Sequence, residues 1–266
     1  MKKIIVLLGI ILATTSCLDD KKEDKSNDQK ITEPIEESLD FITVAIDGKD
    51  FETCEEKDCP RVQVSYLKAE NKPAIAEKIN SVNENNLIKI FSSPEEEKPS
   101  PDNLQDAVKN FVDDYFSFKK EFPESPAEYE AEVSQNIRFR NDSLIVVETS
   151  FYLFTGGAHG YGATRYQHFN AKTGEALAQA DLISDKTAFT NYAEKKFRKK
   201  FNIPMNSPIN STGFFFENNT FTLPENMAFT NDSIHFVYNR YEAASYAEGE
   251  LQLSLPKSEV KNWVNY

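Results

Sequence analysis

The distribution of glycine constrains this chain more than any other feature. Four of its nine glycines fall in one run, GGAHGYG at residues 156–162, directly after an aromatic, strand-like segment. Glycine adopts positive φ at little cost and lets a backbone or a ligand approach closely. Two interpretations follow. The run is a tight connection between two strands, or it is a loop in which Gly157, His159 and Gly160 contact a ligand.

The hydrophobic pattern predicts an α+β fold with mainly antiparallel sheets, packed amphipathic helices and two sequential subdomains. Strand-like alternation occurs at 41–46, 62–66, 130–139, 143–154, 161–169, 214–216, 220–223, 233–238 and 250–255. Helical periodicity occurs at 73–90, 103–118 and 187–201, and a short final helix holds Trp263. No regular alternation of strand and helix runs through the chain.

The first residues are typical of a bacterial export signal. A basic start is followed by an apolar run at 4–13, which is too short for a membrane anchor. Small residues then precede Cys17, as in a lipobox, which predicts a signal peptide at 1–16 and lipidation of Cys17. The alternative is ordinary cleavage near Ser16. Residues 17–38 are acidic and poor in large apolar side chains, which predicts a disordered tether. Its first acidic residues resemble the surface-export signals of Bacteroidota lipoproteins.

Two further cysteines, Cys54 and Cys59, are separated by four residues. In an oxidising compartment a lone nearby pair is expected to form a disulfide, here across the turn between the first two strands. The spacing does not fit a zinc knuckle or a redox pair. Asp-Ser followed by an aliphatic residue occurs twice, and it resembles the O-glycosylation site of Bacteroidota secreted proteins at Ser143 and Ser233. The simpler interpretation of both places is a hairpin turn.

Charge and motifs exclude several function classes. A net charge of −13 argues against nucleic-acid binding, which requires basic surface, and leaves either solubility or attraction of cationic partners. No metalloprotease motif, nucleophile elbow or phosphate loop is present, and three dispersed histidines make a weak metal site. No cofactor or metal is therefore predicted. Residues 238–249 cluster Tyr238, Tyr241 and Tyr246 with an arginine, which favours a recognition surface or a buried aromatic bend.

The residues 151–160, FYLFTGGAHG, together with FNAKTG at 169–174 and Asp181-Leu182, resemble a known extracytoplasmic module. It is shared by RsiV-type anti-sigma factor ectodomains and the accessory domain of PdaC-type peptidoglycan deacetylases. Residues 238–249 resemble its C-terminal element, and the similarity spans about 39–266. The resemblance implies a PdaC-like N-terminal domain at 39–167 and an RsiV-like C-terminal domain at 168–266. The sigma-binding segment, the transmembrane helix and the deacetylase domain of those proteins are all missing, so neither activity is implied.

The resemblance implies a non-catalytic lipoprotein that binds an envelope ligand, either a lysozyme-like cationic protein or peptidoglycan. Membrane contact is expected through the lipid anchor alone, at the outer membrane. Whether the anchored protein faces the cell surface is left open. The candidate ligand-binding residues are Gly157, His159, Gly160, Tyr238, Tyr241 and Tyr246. The alternative is a cell-wall-directed hydrolase that uses His159 with a carboxylate.

Overall fold

Two β-sheets organise the part of the chain that the computed structural model describes, which is residues 38–54, 58–92 and 101–266. These residues belong to one compact unit, 37–266. The predicted signal peptide, Cys17 and nearly all of the predicted tether lie outside the described residues. No helix among the described residues is long and apolar enough to cross a membrane.

The larger sheet has six strands in chain order: β1 (Asp40–Asp47), β2 (Arg61–Glu70), β3 (Glu130–Arg140), β4 (Leu144–Phe154), β5 (Tyr161–Asn170) and β6 (Ala176–Leu177). Neighbouring strands are antiparallel except β2 and β3, which are parallel. A parallel pair needs a crossover, and here two helices supply it: α1 (Pro73–Phe91) and α2 (Leu104–Glu121). The predicted α+β class with mainly antiparallel sheets is confirmed.

The two crossover helices begin where the sequence predicts. Pro73 occupies the first turn of α1, where its missing N–H costs nothing. The Asn103 side chain accepts a hydrogen bond from the Asp106 amide at 2.9 Å, which caps α2. Val108 and Val112, one turn apart on α2, are fully buried against the sheet. The helices therefore cover one face of the larger sheet.

The smaller sheet holds β7 (Met227–Phe229), β8 (Ser233–Tyr238) and β9 (Leu251–Pro256). Three helices accompany this part of the chain: α3 (Gln179–Leu182), α4 (Lys186–Lys200) and α5 (Lys257–Val260). Phe189, Ala193 and Phe197 lie on one face of α4 and are fully buried. They belong to the same hydrophobic cluster as residues of β7, β8 and β9.

Strand β4 is buried on both faces, and this joins the two halves of the fold. Leu144 and Val146 belong to the cluster around the smaller sheet, whereas Ile145 and Val147 belong to a cluster with α1. Side chains alternate between the faces of a strand, so a strand covered on both sides needs an unbroken apolar run. The run of four aliphatic residues at 144–147 meets this requirement.

Several details differ from the sequence-based prediction. The segments 214–216 and 220–223 are not strands; a 3₁₀ turn at Glu217–Asn219 separates them, and Asn218 and Asn219 have positive φ. Phe216 and Phe221 are buried without strand pairing, so their pattern imitates a strand. The short elements β7 and α3 were not predicted. The proposed subdomain boundary at 167 and 168 falls within β5, and that division stays a prediction.

The predicted disulfide and the two predicted hairpin turns lie near the ends of strands. Cys54 and Cys59 form the predicted disulfide, with Cα atoms 5.4 Å apart, between β1 and β2. Asn141 turns β3 into β4 by accepting hydrogen bonds from the Ser143 and Leu144 amides. Ser233 follows the equivalent turn between β7 and β8, where its amide donates to Thr230 Oγ1. The hairpin interpretation of both places is confirmed, and their glycosylation stays a prediction.

Candidate binding surface

The glycine run connects β4 to β5, as predicted by the interpretation that it is a tight connection between two strands. Gly156 and Gly157 have φ of +91° and +95°, a region that side-chain-bearing residues rarely adopt. Gly160 is needed for a different reason. A Cβ atom there would lie 2.4 Å from the Tyr152 ring, so only glycine lets this ring pack across the turn.

His159 lies at the exposed tip of this connection and stacks on Tyr246. The two ring centroids are 3.9 Å apart and the planes differ by 18°. The Tyr246 hydroxyl donates a hydrogen bond to the Gly160 carbonyl at 3.0 Å. Two segments that are distant in sequence, and that the sequence singles out separately, are therefore in direct contact.

Side chains of residues 240–246 extend this contact. The Arg240 guanidinium lies 5.3 Å from the centre of the Tyr246 ring, and Arg240 Nη1 donates to the Gly162 carbonyl at 3.5 Å. The Tyr241 ring lies 5.6 Å from that of Tyr246. Cations over tyrosine rings are attracted by the electron-rich face, so the arginine helps to fix the Tyr246 orientation.

Asn239 attaches this segment to the larger sheet. Its side chain accepts from the Thr164 amide at 2.8 Å and donates to the Thr164 carbonyl at 2.9 Å. An amide side chain thereby imitates a neighbouring strand at the free edge of β5. The turn that follows places Tyr241 at φ +70°, which is unfavourable for a bulky residue, and leaves its side chain 53% exposed. Backbone strain of this kind clusters at functional sites.

We call His159, Tyr161, Arg240, Tyr241 and Tyr246 the aromatic surface. Tyr161 begins β5 directly after the glycine turn and is 39% exposed. Partial burial, reinforced by the charge of Glu242, raises the pKa of the Tyr161 hydroxyl, while Arg165 and Arg240 oppose this shift. The phenol therefore stays neutral near pH 7 and offers both an apolar ring and a hydrogen-bonding tip.

The structure brings together five of the six candidate residues: Gly157, His159, Gly160, Tyr241 and Tyr246. Tyr238 lies elsewhere. It is 2% exposed within the core of the smaller sheet, and its hydroxyl donates to the Thr222 carbonyl at 2.6 Å. Burial raises the pKa of that hydroxyl. Sequence reasoning did not select Tyr161, because alternation alone does not tell which end of a strand stays uncovered.

No cluster of three or more His, Cys, Asp or Glu side chains suited to a metal ion occurs among the described residues. His159 has the ring contact with Tyr246 described above. Of the other two histidines, His168 is buried and His235 shares a hydrogen bond with Ser254. Because the His159 and Tyr246 rings are stacked nearly parallel, together they form a flat aromatic surface.

The architecture is that of an α+β protein with a six-stranded and a three-stranded sheet. Two family models match this chain: PdaC, described as deacetylase PdaC, over residues 53–161, and DUF3298, a protein of unknown function, over residues 180–258. The predicted PdaC-type resemblance is thus confirmed for residues 53–161, and residues 180–258 are similar to DUF3298. The RsiV-type resemblance of the C-terminal part stays a prediction.

Two solved structures have a similar fold. A DUF3298-family protein of Bacteroides fragilis is 15% identical with a TM-score of 0.63, and the match covers 86% of this chain and 94% of that one. A DUF3298-family protein of Pseudomonas aeruginosa is 20% identical with a TM-score of 0.61, covering 85% and 94%. At these identities the likeness shows a shared fold. No curated protein matches the chain.

Proposed function

We propose that this chain is a non-catalytic, lipid-anchored envelope protein whose aromatic surface binds a cationic, lysozyme-like protein. The observation that carries the proposal is the grouping of the exposed His159, Tyr161 and Tyr241 with the half-buried Arg240 and Tyr246. Tyrosine and arginine dominate the energetically important centres of protein interfaces. Such rings also lose little conformational entropy on binding, because neighbours already hold them.

Charge favours a cationic partner. The chain carries a net charge of −13, and Glu242 and Glu248 are exposed beside the tyrosines. Complementary charge speeds association and favours the correct partner. Lysine and arginine side chains of a partner can also stack on the exposed face of Tyr241. Two exposed glutamates beside the aromatic surface outnumber the one cation within it, Arg240, and on a chain of this net charge they favour a basic partner over an acidic one.

The experiment is calorimetric titration of the full chain with a cationic lysozyme, at low and at high salt. We expect saturable binding that weakens as salt rises, since exposed charges are screened. Lysozyme with acetylated lysines is the matched ligand control and is expected to bind more weakly. Absence of binding to native lysozyme at low salt would refute the proposal.

Variants locate the interaction. Tyr241→Ala and Tyr246→Ala are each expected to weaken binding by about 2 kcal/mol, roughly thirtyfold, as interface anchors do. Ile42→Ala is the control: Ile42 is 40% exposed, but it lies on β1, four strands away from β5 in the same sheet. Equal losses in all three variants would mean that binding does not use the aromatic surface.

Peptidoglycan is the second candidate ligand, and the PdaC match over 53–161 favours it. Co-sedimentation with insoluble peptidoglycan separates the two ligands, because a peptidoglycan-binding chain pellets in the absence of lysozyme. The hydrolase alternative requires a carboxylate that works with His159. It predicts release of soluble glycan or peptide fragments that His159→Ala abolishes at unchanged melting temperature, and our proposal predicts no release.

Anchoring through Cys17 is part of the proposal and has its own test. Metabolic labelling with a tagged fatty acid in the producing bacterium is expected to mark the wild-type chain and not Cys17→Ser. Fractionation is expected to place the labelled chain in the outer membrane. Equal labelling of both chains would refute lipidation at this residue.

A further inference from the structure

A polar cavity of about 340 Å³ lies at the free edge of β5, between β6 and Asn239. Its volume falls within the range of small-molecule sites. Helix α1 forms one side with Asn86 and Leu87, and α3 forms another with Gln179. The turn before β7 completes it. Side chains from both faces of β5 line the cavity, which therefore wraps around the strand edge.

The strand edge is interrupted at this place. Asn239 pairs with the backbone of Thr164, and His168 pairs with Leu177 of β6. Backbone groups of alternate residues point to the same edge of a strand, so Tyr166 presents its N–H and C=O between these two partners. The gap is one residue long. It is too short for an added strand and wide enough for a small ligand.

Buried polar atoms without partners concentrate here. Among the described residues, five buried side-chain polar atoms have no hydrogen-bond partner, and four of them belong to cavity-lining residues. They are Gln167 Nε2, Gln167 Oε1, His168 Nε2 and Gln179 Oε1. A buried unpaired polar group costs about 1–3 kcal/mol. His168 and Gln179 are more than nine-tenths buried, so the fold holds them in place despite this cost.

A second set of buried polar side chains in the same sheet is hydrogen-bonded throughout. Gln135 Nε2 donates to Asn83 Oδ1 at 2.7 Å and to Thr149 Oγ1 at 2.9 Å. Asn83 Nδ2 donates in return to Gln135 Oε1 and to the Leu67 carbonyl. In this network both amides are paired with one another. The cavity differs from this network, because Gln167 has neither amide atom paired, and Gln179 donates from Nε2 to the Pro224 carbonyl at 2.8 Å but leaves its oxygen unpaired.

The cavity favours an uncharged ligand. Burial lowers the pKa of His168 to about 4, so its ring is neutral near pH 7. Arg165, Glu225 and Glu242 also line the cavity, so charges of both signs are present. Neither an anion nor a cation is matched by this set, because each meets a like charge.

We infer that the cavity binds a small neutral molecule that carries a secondary amide, such as an acetamido sugar or an N-acylated peptide fragment. Gln167 Nε2 can donate to the ligand carbonyl, and because the N–H and C=O of a trans amide point in opposite directions, a different acceptor must receive the ligand N–H. Gln179 Oε1 can accept from this N–H, and Gln167 Oε1 can accept from a further N–H or O–H of the ligand. Gln167 and Gln179 lie outside the aromatic surface, whereas Tyr161 belongs to both sites. The inference does not depend on the proposed protein ligand.

The first test is calorimetric titration of the full chain with N-acetylglucosamine, glucose and N-acetylglycinamide. We expect at least one of the two amides to bind saturably and glucose to bind about tenfold more weakly or not at all, the effect of one unmade pair of hydrogen bonds. Preference for the sugar or for the glycinamide identifies the source of the amide. If neither amide binds, the cavity is occupied by water alone and the inference is wrong.

The second test uses Gln167→Met, with Gln105→Met as the matched control on the exposed face of α2. Gln167→Met is expected to lower amide binding about tenfold or more while the free protein melts at the same or a higher temperature, because two unpaired polar groups are removed. The control is expected to change neither. Unchanged amide binding in Gln167→Met, or a large fall in its melting temperature, would overturn the inference.

Discussion

Two aromatic clusters, one buried and one on the surface, have members only three residues apart in the sequence, Tyr238 and Tyr241. The two clusters nevertheless have different roles. In the buried cluster the Phe197 ring contacts five other rings, including those of Phe216 and Tyr238. In the aromatic surface the half-buried Tyr246 ring is held by His159, Arg240 and Tyr241, and the Tyr241 ring is 53% exposed. Rings covered on all sides stabilise the fold, whereas an exposed ring such as that of Tyr241 remains free to bind.

The largest expected difference between the clusters is in stability. Phe197→Ala is expected to lower the free energy of unfolding by about 3–5 kcal/mol, since it leaves a cavity among rings that cannot collapse fully. Phe215→Ala is the control: Phe215 is 47% exposed, and its loss is expected to cost less than about 1 kcal/mol. Denaturant unfolding measures both. Similar costs would mean that burial of Phe197 among these rings does not stabilise the fold.

The buried histidine provides the next prediction. Burial lowers the pKa of His168 to about 4, below its ordinary value of 6.5, and the nearby Met227 backbone opposes this shift only in part. The unfolded chain binds this proton more readily. The contribution of the neutral His168 ring to the free energy of unfolding is therefore complete above pH 6.5 and is lost as pH falls to 4. The loss is at most roughly 3 kcal/mol, at 1.36 kcal/mol per pKa unit.

Unfolding measured across this pH range tests the sign and the residue. His168→Gln is expected to show a shallower fall in stability than the wild type between pH 6.5 and pH 4. His235→Gln keeps His168 and is expected to keep this part of the fall. Parallel curves for the wild type and His168→Gln would show that the buried ring does not contribute.

A smaller effect separates two tyrosines three residues apart. Tyr238→Phe removes the hydrogen bond to the Thr222 carbonyl and is expected to cost about 1 kcal/mol. Tyr241→Phe removes a hydroxyl from an exposed side chain and is expected to change stability by less than about 0.5 kcal/mol. Melting temperatures of the two variants give the comparison, and a larger loss for Tyr241→Phe would contradict it.

Sequence patterns could predict the regular elements because their periodicity is local. The helices at 73–91 and 104–121, the long hairpin of β3 and β4, and the disulfide all follow from such patterns. The turns around Asn218 could not be predicted, since buried phenylalanines in irregular backbone imitate a strand. The contact between His159 and Tyr246 also could not, because 86 residues separate Gly160 from the tyrosine that bonds to it.

The same limit explains the split within residues 238–246. Tyr238 ends a strand and is buried by the neighbouring helix and loops, whereas the chain turns after Asn239 and exposes Tyr241. Tyrosines occur throughout the segment, so its composition predicts an aromatic cluster but does not tell which ring is buried. The cavity at β5 was not visible either, because glutamines carry no periodic signal.

Hydrogen–deuterium exchange of the full chain, with and without a cationic lysozyme, tests the central claim most directly. We predict that bound lysozyme protects backbone amides at 156–161 and 240–246, while exchange in the buried cluster around Phe197 stays unchanged. The same experiment on Tyr246→Ala is expected to show little protection. Saturable binding with protection confined to other parts of the chain, or no protection at all, would contradict the assignment of the aromatic surface as the binding site.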